Sequence, residues 1–416
     1  MSYVSGYQCT LCHEIFQEGL ARTTCPKCGD QGILDVLYSY EAIKKVLTLE
    51  SLAADKDPSI WRYRALLPVE DTYLDRTLRV GGTPLYKSGR LRDYLGLRAL
   101  TIKDDGLNPT GSLKDRASVI AVVKALELGQ STIACSSTGN AASSLAGNAA
   151  RVGLDTVIFV PKRAPIGKLT QLLVYNACVV SVEGDYGATF ALSKEAIDHY
   201  GWYNRNAAIN PLLVEGKKTV ALEMAEQLNF DMPDWVVVSV GDGCTIAGVY
   251  KGFYDLLQLG FISVIPKILG VQAAGCAPLA KAFQSGQAVE AAEENTLADS
   301  ISVGMPRNPV KALEAVRKTG GTYLTVTDEE IIGAIALLGR MEGIFGEPAG
   351  VTGVAGIIKA MTLGIITKKQ SVATIITGNG LKDVKNGMEA AGEPMKIKPD
   401  LSSFIKNYES EAEEAK

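Results

Sequence analysis

Short apolar runs recur along the chain, among them Thr132-Ile133-Ala134-Cys135, Thr156-Val157-Ile158-Phe159-Val160, Val236-Val237-Val238-Ser239-Val240 and Ala373-Thr374-Ile375-Ile376-Thr377. Each leads into a cluster of Gly, Ser, Asn or Pro. Between them lie stretches such as 117–128, where apolar positions recur near every 3.6 residues. Unbroken apolar runs predict strands buried on both faces, and the 3.6 spacing predicts helices. Strand, polar loop and helix in repetition predict an α/β fold with parallel sheets. Ligands bind such sheets outside the carboxyl ends of the strands, so the loops after these runs are where chemistry is expected.

The 416 residues suffice for two or three domains of about 150 residues each. Hydrophobic residues make up 47% and charged residues 21%, with a net charge of −4 and no basic stripe, so no nucleic-acid partner is expected. No run of about 18 residues is free of charges and breaks, and the N-terminus shows neither a basic nor an apolar leader region. A cytoplasmic protein away from membranes, acting on small molecules, is the expectation.

Cys9-x2-Cys12 and Cys25-x2-Cys28 are separated by twelve residues, a spacing that suits two knuckles closing on one tetrahedral metal ion. Pro26 and Gly29 suit the tight turn of the second knuckle. Four thiolates on zinc leave no open coordination position, so a bound Zn2+ would be structural. Four free thiols are the alternative. Cys135, Cys178, Cys244 and Cys276 sit singly in apolar or Gly-rich segments and are expected to be small buried hydrophobes.

Three loops stand out. In Asn108-Pro109-Thr110-Gly111-Ser112-Leu113-Lys114-Asp115-Arg116 a Pro/Gly turn delivers Lys114 to the first turn of a helix beginning near Asp115. The positive end of the helix dipole and burial both disfavour an ammonium there, lowering its pKa toward the neutral amine that a Schiff base or general base needs. An ordinary surface lysine is the plain alternative. Ser136-Ser137-Thr138-Gly139-Asn140-Ala141 follows a strand and opens a small-residue helix, which suits a substrate carboxylate. Gly241-Asp242-Gly243-Cys244-Thr245 lies between a strand and a helix starting near Ala247, and its glycines let backbone amides approach a phosphate. Asp242 is an odd neighbour for that phosphate. Each loop alone could be a plain strand-to-helix turn.

Taken in order, the four-cysteine ribbon, Trp61-Arg62-Tyr63-Arg64-Ala65-Leu66-Leu67-Pro68, Gly82-Thr83-Pro84-Leu85 and the Lys114 segment resemble the fold-type-II pyridoxal-phosphate (PLP) enzymes, most closely the zinc-ribbon threonine synthases. The resemblance spans nearly the whole chain. It implies a fold like the tryptophan synthase β chain: a zinc ribbon over 1–34, a large cofactor domain from 35–115 and 205–400, a small domain over 116–204, and a tail over 401–416. It further implies that Lys114 carries the pyridoxal 5'-phosphate as a Schiff base, that Asn140 meets its ring oxygen, that Gly241, Asp242, Gly243, Cys244 and Thr245 hold its phosphate, and that Thr377 faces its ring nitrogen. A hydroxyl at that nitrogen makes the ring a weaker electron sink and leaves proton shuttling to Lys114. A homodimer is implied as well.

Threonine synthases act on O-phosphohomoserine, and here the chain departs from their pattern. Ala141 follows Ser-Thr-Gly-Asn, and Ala207, Ala208 and Leu213 stand where the family pattern has Asn, Ser and Arg. Each lost charge-assisted contact forfeits roughly 1.5–3 kcal/mol. These four positions predict a PLP-dependent elimination or replacement enzyme whose small amino-acid substrate lacks a side-chain phosphate. The alternatives are a threonine synthase whose anion site is rebuilt from Lys162, Arg163, Lys168 or Arg205, a threonine or serine dehydratase, or a β-replacement synthase such as a cysteate synthase. A partner subunit completing the site and a silent ligand-sensing homologue also remain, although retention of Lys114 opposes the latter. Glu347-Pro348-Ala349-Gly350 resembles a segment near the cofactor in related enzymes. Glu347 is either functional there or merely a helix-capping carboxylate. His199 is expected on a helix surface, and the acidic tail from Glu409 is expected to fray.

Overall fold

The computed structural model describes residues 2–17, 23–162, 166–184 and 186–414. At the N-terminus, β1 (Val4–Cys9), β2 (Ile15–Phe16), β3 (Thr24–Cys25) and β4 (Gly29–Tyr38) form an antiparallel sheet in the order β2-β1-β4-β3. The two cysteine knuckles lie at its turns, and Gly29 takes the left-handed φ of 62° that a tight turn demands.

Two further sheets follow the alternation of apolar run and helix. In chain order the strands are β5 (Leu85–Lys87), β6 (Ala99–Asp104), β7 (Thr132–Ser136), β8 (Asp155–Pro161), β9 (Cys178–Val182), β10 (Tyr203–Asn204), β11 (Trp235–Ser239), β12 (Lys267–Ala273), β13 (Thr322–Val326) and β14 (Ser371–Ile376). The larger sheet has the order β13-β12-β11-β14-β6-β5 and is parallel except for the edge strand β5. The smaller, fully parallel sheet has the order β10-β7-β8-β9. Every residue of β11 is buried, as its apolar run Trp235 to Val238 requires for a central strand covered on both faces.

Three helices cross behind the site with their backbones nearly touching. A Cβ on Gly216, in the Leu212–Gln227 helix, would stand 2.1 Å from the carbonyl oxygen of Arg116, in the Lys114–Glu127 helix. A Cβ on Gly248, in the Cys244–Leu259 helix, would meet Lys217. Only glycine permits that approach, and it gathers Lys114, Lys217 and Cys244 at one place.

Several local expectations need correction. Cys178 is exposed, because β9 is an edge strand with a half-covered face, whereas Cys135, Cys244 and Cys276 are buried. The tail does not simply fray: Leu401–Glu414 is helical, with exposed positions on most of its face. The Lys114 helix starts at Lys114 itself, one residue early, and the helix after the glycine loop starts at Cys244, three residues before Ala247. His199 is exposed near the end of the Tyr186–Tyr200 helix. Among the described residues no helix is long and apolar enough to cross a membrane.

Candidate active site

The carboxyl ends of β6, β7, β11 and β14 each feed a loop into the same region, as the topology of an open parallel sheet dictates. The loop after β6 carries Lys114. It is pinned to the loop after β14 by Leu113 N–H donating to Thr377 O at 2.9 Å and Asn379 N–H donating to Gly111 O at 3.0 Å. Behind it, buried Arg116 donates to both oxygens of Asp105 and of Glu223, anchoring the start of the helix to two neighbouring elements.

One cavity is lined by Lys114, Ala207, Lys217, Ser239, Val240, the whole glycine loop Gly241 to Thr245, Ser300, Ile301, Glu347, Ala349 and Thr377. The second adjoins it through Ser300, Glu347 and Ala349, and takes in Thr138, Gly139, Asn140, Ser143, Gln171, Asp299 and Lys382. The structure therefore brings Lys114, Gly241, Asp242, Gly243, Cys244, Thr245 and Thr377 together, with Thr138, Gly139 and Asn140 next door. Ser136, Ser137 and Ala141 line neither cavity. Ser136 N–H donates instead to Asn206 Oδ1 at 3.0 Å, and Ser137 Oγ accepts from Gly139 N–H at 3.2 Å, so those two residues shape the loop.

Lys114 behaves as its position demands. Burial draws its pKa down to about 8, the nearby Lys217 and Arg205 act in the same direction, and Glu347 opposes them. The glycine loop is a cradle. Gly243 has φ 85°, and a Cβ there would stand 2.7 Å from Asn308 O, so only glycine fits. The amides of Gly241, Asp242 and Gly243 have no acceptor among the described contacts, and the helix beginning at Cys244 adds its own free first-turn amides. A phosphate group fits that set of donors. The oddity of Asp242 resolves locally: its Oδ1 accepts from Arg307 N–H at 2.7 Å and its Oδ2 from Cys244 Sγ at 3.6 Å, so the carboxylate is committed within its own loop region.

The positions that depart from the threonine synthase pattern divide. Ala207 is on the cavity wall. Ala208 and Leu213 are fully buried in apolar clusters, Leu213 in the one that includes Ala117 and Ala121. Cations stand nearby instead. Lys217 is 2% exposed and Arg205 1% exposed. Neither has a carboxylate partner among the described contacts, and the Arg205 guanidinium donates there only to Ser118 Oγ, at 3.0 and 3.1 Å. Burial lowers the pKa of both. Lys382 donates to Ser143 Oγ and Gln171 Oε1 in the second cavity. Of the other candidate cations, Lys162 is exposed and paired with Glu183 at 2.8 Å, Arg163 lies outside the described residues, and so does the side chain of Lys168.

Lys217 and Lys382 escaped the sequence reading. The one available signal for Lys217 was its place four residues after Leu213, one helical turn along the same face. For Lys382 it was the Gly378-Asn379-Gly380 loop just before it.

In the ribbon, the ligand atoms of Cys9, Cys12, Cys25 and Cys28 all lie within 4.8 Å of one another, and Cys12 Sγ is 3.7 Å from Cys25 Sγ. Tetrahedral zinc with Zn–S bonds of about 2.3 Å places sulfurs about 3.8 Å apart, so the four thiols fit that ion. Burial raises the Cys9 thiol, but the amides of Cys12 and Leu11 together with the thiols of Cys12 and Cys25 bring its pKa down to about 7, while the neighbouring thiols push Cys28 up to about 12.

This fold, with the half-buried Lys114 between a glycine-rich loop and a Ser/Thr/Asn loop, is that of a PLP-dependent lyase of fold type II. The chain belongs to the family described as pyridoxal-phosphate dependent enzyme, whose model matches residues 76–378, and within it to the threonine synthases. The threonine synthase of Methanosarcina acetivorans is 40% identical over 400 residues, covering 95% of this chain and 97% of that protein. That of Mycobacterium tuberculosis is 37% identical over 322 residues, covering 77% and 87%. The processed form of threonine deaminase isoform 2 from Solanum lycopersicum shares the fold, with a TM-score of 0.66 at 22% identity over 82% of this chain and 95% of that one.

Proposed function

We propose that this lyase is a threonine synthase that converts O-phosphohomoserine and water to threonine and phosphate, using an anion site rebuilt from new positions. The observation that carries the reading is Lys217: an ammonium 2% exposed, on the wall of the Lys114 cavity, without a hydrogen-bond or ion-pair partner among the described contacts. An unpaired buried charge is costly, and a dianionic ligand removes that cost. Lys217 lies one turn from Leu213, where the family pattern has Arg, and Arg205 adds a second buried cation beside the same helix as Leu213's apolar partners. The relatives named threonine synthase over most of their length support the same reading.

The roles follow residue by residue. Lys114 carries the cofactor and moves the proton at the substrate Cα. Gly241 to Thr245 hold the cofactor phosphate, Asn140 meets the ring oxygen and Thr377 the ring nitrogen. The loop from Ser136 to Ala141, through Thr138 and Gly139, orients the substrate carboxylate. Bound PLP supplies the electron sink that makes the Cα proton removable. The four cysteines hold a structural Zn2+, the domains follow the boundaries 35–115 with 205–400 and 116–204, and the protein works as a cytoplasmic homodimer.

Lys217→Met tests the reading: it raises the KM for O-phosphohomoserine by about a hundredfold, equivalent to roughly 2.7 kcal/mol of lost binding to a charged group, while cofactor affinity changes little. Loss of cofactor affinity with an unchanged KM would assign Lys217 to the PLP phosphate and remove the main support. A second reading, elimination on threonine or serine, is favoured by Ala207 on the cavity wall and by the apolar burial of Ala208 and Leu213. It predicts ammonia from those amino acids and no phosphate release from O-phosphohomoserine.

A further inference from the structure

Glu347 is the residue before the Pro348–Thr362 helix, and its backbone already caps that helix, since Glu347 O accepts from Gly350 and Val351 N–H at 2.8 and 3.1 Å. Its side chain makes no capping hydrogen bond. The carboxyl is turned instead onto the boundary of the two cavities, both of which it lines, at 6% exposure. Oε1 accepts from Asn140 Nδ2 at 2.6 Å, and Oε2 has no hydrogen bond among the described contacts. The cations around it are Lys382 from the turn Gly380–Lys382 and Lys114 from its helix, neither ion-paired with it among the described contacts, and Asp299 from the turn Asp299–Ile301 adds a like charge. A structural carboxylate in so buried a place would be expected to hold a cation or several N–H donors.

We propose that Glu347 is a second proton-transfer group, serving the side-chain carbons of the substrate while Lys114 serves Cα. This rests on the lyase reading and, for the natural substrate, on O-phosphohomoserine. A substrate whose carboxylate occupies the Thr138 to Asn140 loop and whose Cα faces Lys114 must cross the boundary that Glu347 occupies. The ionised carboxylate takes a proton from Cβ. The electron pair of that C–H bond forms the Cβ–Cγ double bond as the Cγ–O bond breaks, and the phosphate leaves with the pair of the broken bond. The Glu347 acid then returns its proton to Cγ: the Cβ–Cγ pair becomes the new C–H bond while the pair left at Cα, after Lys114 took its proton, forms a Cα–Cβ double bond. The carboxylate is regenerated, and water adds its hydroxyl at Cβ as Lys114 returns the proton to Cα. Both forms of the carboxyl are accessible for this: burial pushes it up to about 7, with Lys382 and Lys114 opposing.

Hydrogen exchange separates the two roles. The holoenzyme is incubated in D2O with L-norvaline, which has no leaving group, and deuterium at Cα and Cβ is followed by NMR. The wild-type protein exchanges both positions, and Glu347→Gln, which can still accept from Asn140, keeps Cα exchange within about threefold but loses at least about a hundredfold at Cβ. Cβ exchange at the wild-type rate in the variant overturns the proposal, as does equal loss at both carbons or a wild-type enzyme that leaves Cβ untouched. Should the variant not fold, the wild-type pH profiles of the two carbons, followed in the same sample, decide: a Cβ profile displaced from the Cα profile is expected, and superimposed profiles overturn the proposal. Cβ exchange without any threonine from O-phosphohomoserine would sink the substrate assignment and leave the role of Glu347 standing.

Discussion

Leu113 donates its backbone N–H to the carbonyl of Thr377 at 2.9 Å, so the residue before the proposed cofactor lysine is tied to the residue proposed to face the cofactor's ring nitrogen. Two loops from distant parts of the chain thus form one rigid frame. Rigidity there matters because an amine displaced by about 1 Å from its reacting carbon loses a large part of its rate.

With Lys114 as the proposed cofactor lysine, its amine should govern capture of the cofactor. Burial, with Lys217 next, places its pKa at about 8, below the ordinary lysine value. Below that pH the group is an ammonium, so the rate of Schiff-base formation by the apoprotein should rise about tenfold per pH unit and level off above it. Stopped-flow absorbance against pH measures this. Lys114→Ala should abolish the lysine-bound chromophore and turnover together.

Arg116 should be the largest single contributor to the stability of the site. Arg116→Met leaves the buried carboxylates Asp105 and Glu223 without their main partner and should cost about 3–5 kcal/mol, read as a fall in denaturation midpoint. Glu223 is held down to about 2: burial opposes this, but Arg116 and Lys103 dominate. Its folded pKa lies below its unfolded one, so its stabilisation is full above the usual carboxylate pKa and is lost as pH falls toward 2. In Arg116→Met that acid sensitivity should shift to higher pH.

Gly243→Ala should weaken cofactor binding by about 1–3 kcal/mol, because the left-handed backbone and the nearby Asn308 carbonyl both resist a side chain. Equilibrium dialysis with PLP measures it. Unchanged affinity would mean that the loop is not the phosphate cradle.

Removing the ribbon metal should reach the active site. Ile33 of β4 packs against Ala208, Val214, Cys244 and Ala247, and Tyr38 Oη donates to Glu215 Oε2 at 2.8 Å. A chelator should release about one equivalent of zinc and lower PLP affinity, and Ile33→Ala should lower affinity with the metal still bound. Release of no metal would contradict the four-thiolate site.

The α/β fold and the loops that meet at the two cavities were legible in the sequence because their signals are local: a buried strand, a Gly-rich turn, then a helix start, as around Gly241 to Thr245. The placement of Lys114 on the cavity wall was legible for the same reason. Lys217 was not, because its meaning depends on Gly216 and Gly248 drawing two helices together, a relation between distant segments. Leu213 marks a missing arginine in the pattern, but its side chain is in the core and says nothing of the cation one turn away. Ser136 and Ser137 fell inside a promising motif, yet the backbone turns them away from both cavities.

Incubation of the purified holoenzyme with O-phosphohomoserine, with phosphate and threonine measured in the same sample, tests the central claim most directly. Equal amounts of both products are predicted, and no phosphate release, with ammonia formed from threonine or serine instead, would contradict it.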